Sequence, residues 1–232
     1  MLKVYNYIGR RHVALESEYG NNFSMEGFVH METAVDQLKK GLTAAFIDKG
    51  VYSGESYRPQ LVLNNHKLGQ KVLTSLETEL NNCDEFFISV AFITMSGIIP
   101  LLQTLQELEA DGVKGKIITT DYLSFSEPAA LEKLNSFRNI ELKFYCAGDR
   151  GFHTKGYIFR RGEEYRIIVG SANLTSNALT RNEEWNTKLV SMEQGEYTEG
   201  IIRRFHELWQ DEHTLPYAEI AGKYKDYYIA QK

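Results

Sequence analysis

The chain has 232 residues, 43% hydrophobic and 25% charged, with a formal net charge of −5. That is enough apolar material for one sizeable domain with a proper core. No run of about 18 apolar residues is present to span a bilayer, and the acidity argues against a surface that is basic overall while leaving room for a local basic site.

The first 30 residues are rich in Tyr, Asn and Gly without a sustained period, and read as an N-terminal arm or packing appendage. MLKVYNYIGRRHV lacks the apolar centre of a secretory signal. Residues 31–48 place Val35, Leu38, Leu42, Ala45 and Phe46 at helical intervals, with Gly50 as the stop. A connector over 51–65 ends in a short edge strand at Leu61, Val62 and Leu63. A helix is predicted over 68–80, then a strand over 86–92 whose unbroken apolar run suits burial on both faces. A helix over 97–110 and a strand over 113–120 complete a βαβ unit. Glu127-Pro128 opens a helix to about Phe137, and NIELKFY over 139–145 is the next strand. After residue 191 a helix is expected over 193–209, interrupted by Thr214-Leu215-Pro216 and followed by a Tyr-rich helical tail over 217–229. The fold class is α/β, a mixed β-sheet sandwiched between helices. The division is 1–50 arm and helix, 51–215 main domain and 216–232 C-terminal helix leading toward a further domain. Cys83 and Cys146 read as buried reduced thiols of a cytoplasmic protein.

The chemistry gathers in 151–191, GFHTKGYIFRRGEEYRIIVGSANLTSNALTRNEEWNTKLVS. His153 and Lys155, two apart, share one face of a strand. A second strand runs into Gly170-Ser171-Ala172-Asn173, and Glu184 opens a third. A phosphodiester needs donors and positive charge on its non-bridging oxygens, which Lys155, Asn173 and Ser171 can supply. It needs an attacking group, and a neutral imidazole at His153 can form a phosphohistidine. A carboxylate on the other ring nitrogen fixes the tautomer, a role that suits Glu184, with Glu183 as second choice. Arg150, Lys155, Arg160, Arg161, Arg166 and Arg181 make the stretch locally basic.

His153-x-Lys155, Gly170-Ser171-x-Asn173-x-Thr175 and then Glu184 together resemble the signature of the phospholipase D superfamily, most closely its nuclease branch. The strand and helix order fits that fold over roughly 60–210. The chain is most similar to the phospholipase D-like modules that precede helicase domains in bacterial helicase and restriction-type proteins. The resemblance implies His153 as nucleophile, Lys155 and Asn173 as phosphoryl ligands assisted by Ser171, Glu184 as orienting acid, and Gly170 as a point of close backbone approach. It implies a hydrolase, a metal-independent endonuclease on DNA, needing no cofactor, no metal and no membrane. The family's reaction uses two histidines, and this chain carries one motif, so the resemblance implies a homodimer with the active site at its interface. Where the common signature has an Asp five residues after the Lys, this chain has Arg160, which moves the expected substrate from lipid toward nucleic acid. Two other readings stay open: a catalytically weak nucleic-acid-binding or dimerisation module of a helicase, and a phospholipid phosphodiesterase.

Other polar groups read as structural. His206 and His213 lie around a helix end with nothing to complete a metal set, and His12, His30 and His66 are isolated. Glu141-x-Lys143, with Asp121, is similar to a metal-dependent nuclease motif, but strand alternation alone explains it. Tyr122 and Phe125, in a loop near strand ends, are candidates for stacking on bases, though packing over the sheet end also explains them. Arg203 and Arg204 read as a solvated helix face.

Overall fold

The computed structural model describes residues 5–8, 11–14, 32–146, 148 and 151–231. Most of the expected N-terminal arm, including His30, lies outside these residues, as do Arg150 and the side chains of His12 and Tyr122. What is described of the arm is an antiparallel backbone pair, β1 (Tyr5–Ile8) and β2 (Arg11–Ala14). Helix α1 (Ala34–Phe46) follows, started by a capping box between Thr33 and Asp36. Its apolar stripe is not covered as expected: Val35, Leu42 and Phe46 are exposed.

The main body is an eight-stranded mixed sheet with helices on both faces. Its members in chain order begin with β3 (Gln60–Val62), α2 (Val72–Leu80) and β4 (Glu85–Val90). Next come α3 (Met95–Ile98), a tight turn at Ile99–Leu101, α4 (Leu102–Ala110) and β5 (Lys114–Thr120). Then α5 (Pro128–Asn135), β6 (Ile140–Tyr145), β7 (Lys155–Arg161) and β8 (Glu164–Gly170). The chain closes with α6 (Ser176–Thr180), β9 (Asn186–Met192), α7 (Glu196–Gln210), β10 (Thr214–Pro216) and α8 (Tyr217–Ala230). The strand order is β10-β6-β5-β4-β7-β8-β9-β3. The βαβ unit makes β4 and β5 parallel, and β6 extends that half. From β7 onward short hairpins make the other half antiparallel.

The apolar run in β4 behaves as its pattern demands. Phe86, Ile88 and Val90 enter the larger core under α2, α4, α5, α6 and α8, while Phe87 enters the smaller one under α7. Four expectations need correction. The second main helix starts at Val72 rather than 68, because Asn65 and Gln70 close a tight turn and the Asn64 side chain accepts the Val72 amide. The helix expected over 97–110 begins earlier, at Met95 behind the Thr94 cap, and passes through a tight turn at Pro100, whose missing N–H cannot continue the ladder. Thr214 to Pro216, expected as an interruption, is an edge strand paired antiparallel with β6. Cys146 is half-buried rather than buried, and neither cysteine is in a disulfide. The Tyr-rich tail is helical, and Tyr217 and Tyr224 of α8 are buried in the larger core. No helix among the described residues is long and apolar enough to cross a membrane.

Candidate active site

The mixed topology brings the ends of β4, β5, β6 and β8 to the same edge as the starts of β7 and β9. His153 sits there, just ahead of β7. Phe152 anchors the segment, buried and stacked on Tyr145 with ring centroids 5.2 Å apart. The Thr154 carbonyl accepts the Ala91 amide at 3.1 Å, and its hydroxyl meets Ser89 at 2.6 Å. His153 is thereby held between two anchored neighbours and exposed to solvent, with the Phe92 ring edge-on at 5.9 Å.

Lys155, the first residue of β7, is 8% exposed, and its Nζ donates to the His153 carbonyl at 2.9 Å. Burial lowers its pKa from the ordinary lysine value, and the nearby Glu184 carboxylate opposes that shift. Partial desolvation, and then the Lys155 charge, lowers the pKa of His153, so neutral imidazole is favoured at neutral pH.

The turn after β8 supplies the second group. Gly170 is required here, since a Cβ would lie 2.3 Å from the Trp185 carbonyl oxygen and 2.4 Å from Asn186 Oδ1. Asn173 Oδ1 accepts the Phe92 amide at 3.1 Å, which leaves its NH2 as the spare donor. A second close approach supports the turn from below: a Cβ on Gly97 of α3 would lie 2.2 Å from the Leu174 carbonyl oxygen. Ser171 donates its hydroxyl to Glu184 Oε2 and accepts the Trp185 amide at 3.1 Å. Glu184, 7% exposed, is therefore engaged by Ser171 and lies close enough to Lys155 to influence its titration. Glu183 is exposed, on the other side of the backbone.

Two contributors escaped the sequence reading. Asn186, 1% exposed, accepts the Ala172 amide at 3.1 Å and donates to the Val62 carbonyl at 3.1 Å, tying the Gly-Ser-x-Asn turn to the edge strand. An Asn at an inward strand position, where Asn is disfavoured, was the available signal. Tyr157, 1% exposed, donates to the Ala172 carbonyl at 2.9 Å; burial and then the Glu184 charge raise its pKa.

Two members of the basic cluster seen in sequence, Arg160 and Arg166, lie away from the site. Arg160, in the place of the family Asp, lies five residues along β7 from Lys155, about 17 Å away at strand rise, and pairs with Glu85 at 3.6 Å. Arg166 is buried against Glu164 at 3.0 Å and Glu79 at 3.8 Å. Glu141 is exposed, and Lys143 is committed to the Trp209 carbonyl at 2.9 Å. His206 packs edge-on against Phe87, and His213 bonds Asp211 at 2.8 Å. Among the described residues no group of three or more His, Cys, Asp or Glu is placed to hold a metal ion.

A family model described as "Cardiolipin synthase, PLD-like domain" matches residues 76–209. Among solved structures, NucT from Helicobacter pylori superposes with a TM-score of 0.54 at 15% identity, over 68% of this chain and 98% of that one. Nuc from Salmonella typhimurium, a phospholipase D family member, gives 0.53 at 17%, over 69% and 99%. The phosphatidylserine synthase of Haemophilus influenzae gives 0.51 at 17%, over 70% of this chain and 40% of that one. At these identities the likeness is one of fold. A comparison with curated proteins finds no match.

Proposed function

We propose that this chain, which belongs to the phospholipase D-like family by a match over more than half its length, is a DNA phosphodiesterase that works through a covalent phosphohistidine without a metal. The observation that carries the reading is the convergence at one sheet edge of an imidazole favoured neutral, a buried lysine and the spare amide of Asn173. His153 attacks phosphorus with a ring-nitrogen lone pair and the leaving alkoxide departs opposite. Lys155 and Asn173 take the charge that grows on the non-bridging oxygens. Water then attacks the phosphohistidine, releasing the phosphate ester and free His153. Glu184 holds the site's negative charge beside Lys155 and orients the imidazole, with Ser171 holding Glu184 in turn.

The alkoxide needs a proton and the hydrolytic water must lose one. A second His153, supplied by a homodimer with the site at its interface, completes both transfers, each worth about 10²–10⁴ in rate. Residues 51–215 form the module together with α8, whose Tyr217 and Tyr224 are buried in its larger core, and 1–50 is an appendage. Arg160 lies far from the phosphate site, so the replaced Asp removes no group from it. Phospholipid shares the same phosphodiester chemistry and is the competing substrate class.

The test is plasmid DNA incubated with the protein in EDTA beside a His153→Ala variant. Nicking by the parent and a loss of more than about 10⁴-fold in the variant are expected, as for removal of a nucleophile. An absolute requirement for divalent metal, or equal cleavage by the variant, refutes the mechanism. Trapping the phosphorylated protein by acid quench shows the intermediate directly.

A further inference from the structure

Two exposed aromatic rings flank the site, and the proposed chemistry uses neither. Trp185 is 73% exposed, although its neighbours Glu184 and Asn186 are buried. Its backbone is clamped at both ends by Ser171, which accepts its amide at 3.1 Å and donates to its carbonyl at 3.2 Å. The residue is therefore held beside the site, about 10 Å or two strand spacings from the start of β7, with its ring presented to solvent. On the other side, Phe125 is 52% exposed and stands edge-on to Phe92 at 5.0 Å, and Phe92 stands edge-on to His153 at 5.9 Å. The loop that presents Phe125 holds Leu123 and Ser124 at φ 57° and 50°, left-handed backbone that neither residue favours.

We propose that Trp185 and Phe125 are stacking platforms for unpaired bases on the two sides of the scissile phosphate, which makes single-stranded DNA the preferred substrate. The inference rests on the DNA-phosphodiesterase reading and names the strand state that site takes. Its basis is the alternation of chemistry along the rim. Between the two rings lie His153, Lys155, Ser171 and Asn173, groups suited to a phosphate. A nucleic-acid strand alternates phosphates with flat rings in the same way. An acyl chain needs continuous apolar surface, which these polar groups interrupt. A duplex keeps its base faces stacked inside, so it has none to offer either ring.

The experiment uses the His153→Ala protein in EDTA, so that binding is read without turnover. The chain has two tryptophans, and Trp209 is 7% exposed, so quenching by added oligonucleotide reports Trp185. The probes are a thymidine oligonucleotide of about 12 nucleotides, within the usual range of single-strand site sizes, its duplex, and phosphatidylglycerol vesicles. Affinities come from the anisotropy of labelled oligonucleotide. The single strand should quench the fluorescence and bind at least about 10-fold more tightly than the duplex. Trp185→Leu should weaken single-strand binding by about 5- to 100-fold, the usual size of one base–aromatic stack. Trp185→Phe should stay within about 3-fold, because a π-face remains. Phe125→Leu should weaken binding in the same direction.

Equal binding by the Leu and Phe variants at position 185, equal affinity for the duplex, or a response to vesicles alone overturns the proposal. Loss of a dimer in Trp185→Leu also overturns it, by assigning the ring to subunit contact. The two readings fail separately. A protein that binds single strands through Trp185 and cuts no DNA breaks the catalytic reading alone. One that cuts single and double strands equally, unaffected by Trp185→Leu, breaks this inference alone.

Discussion

The antiparallel half of the sheet carries two buried charge clusters that use the same residue types differently. At the site edge, Lys155 lies beside Glu184, and Ser171 holds that carboxylate. Part-way along β8 and β9, on the α2 face, Glu79 bonds Lys188 at 3.1 Å and lies 3.8 Å from Arg166, which also meets Glu164 at 3.0 Å. Glu164 in turn accepts the Tyr57 hydroxyl at 2.6 Å, and that phenol is pushed up to about 12, chiefly by burial and then by this bond. In the second cluster each carboxylate meets a cation, and the Arg166 guanidinium also donates to the Ser56 carbonyl, fastening the connector to the sheet. In the first, Lys155 bonds only the His153 carbonyl among the described residues and Asn173 is anchored through its oxygen, so donors remain at the edge that carries the exposed His153. Buried charge that closes on itself supports structure. Donors left over at an exposed edge are what an anion site needs.

Paired substitutions give the sharpest test of this contrast. Lys155→Met should lower cleavage by roughly 10³-fold per folded molecule, as loss of a transition-state donor does, whatever it does to the urea midpoint. Lys188→Met should act on stability instead. It removes the nearer of the two cations on the buried Glu79 carboxylate, with Arg166 remaining at 3.8 Å, and should cost about 2 kcal/mol of stability in urea unfolding, with activity per folded molecule unchanged. If both variants lose activity in proportion to folded protein, the distinction between the clusters collapses.

Glu184→Gln comes next in size. Turnover should fall by roughly 10²-fold while the Kd for a non-cleaved oligonucleotide stays within a few-fold. Equal losses in both would assign Glu184 to substrate binding. Ser171→Ala, which removes a hydrogen bond to Glu184 rather than the carboxylate itself, should cost about 10-fold in kcat, the size of one net hydrogen bond. The smallest effect is on titration. His153 attacks only when neutral, and its pKa lies below the ordinary ~6.5 through partial desolvation first and the Lys155 charge second. Activity should therefore rise with pH through a value below that figure, as the attacking imidazole becomes neutral, and decline on the alkaline side as the second His153 loses the proton it gives to the leaving alkoxide. Loss of the Lys155 proton, at a pH below the usual lysine range because burial lowers its pKa against the opposing Glu184 charge, abolishes what activity remains. In Lys155→Met the His153 resonance, followed by NMR, should titrate at higher pH than in the parent, though not fully restored, since the desolvation remains.

Much of the fold was legible because it rests on short-range rules. The two-sided burial of β4, the parallel crossover to β5 and the helical stretches follow from period and caps. The misjudged boundaries at Val72, Met95 and β10 were set by contacts that local pattern does not carry: the side chain of Asn64, the missing amide of Pro100 and a pairing with β6 across the sheet. For the site, His153, Lys155, Asn173 and Glu184 stand out by residue type and spacing. Asn186 and Tyr157 did not, because their contribution is to bond the turn's backbone rather than to present a reactive group.

Sequence alone therefore determined the α/β class, the apolar faces and which residues are candidates for the site, since periodicity and functional-group chemistry are properties of the chain. Tertiary structure decided which charges share a space. Arg160 and Arg166 neighbour Lys155 in sequence, yet strand rise carries them down the sheet to Glu85, Glu79 and Glu164. The reversal of chain direction between β8 and β9 returns Glu184 and Trp185 to Ser171, from which they are separated in sequence by a helix.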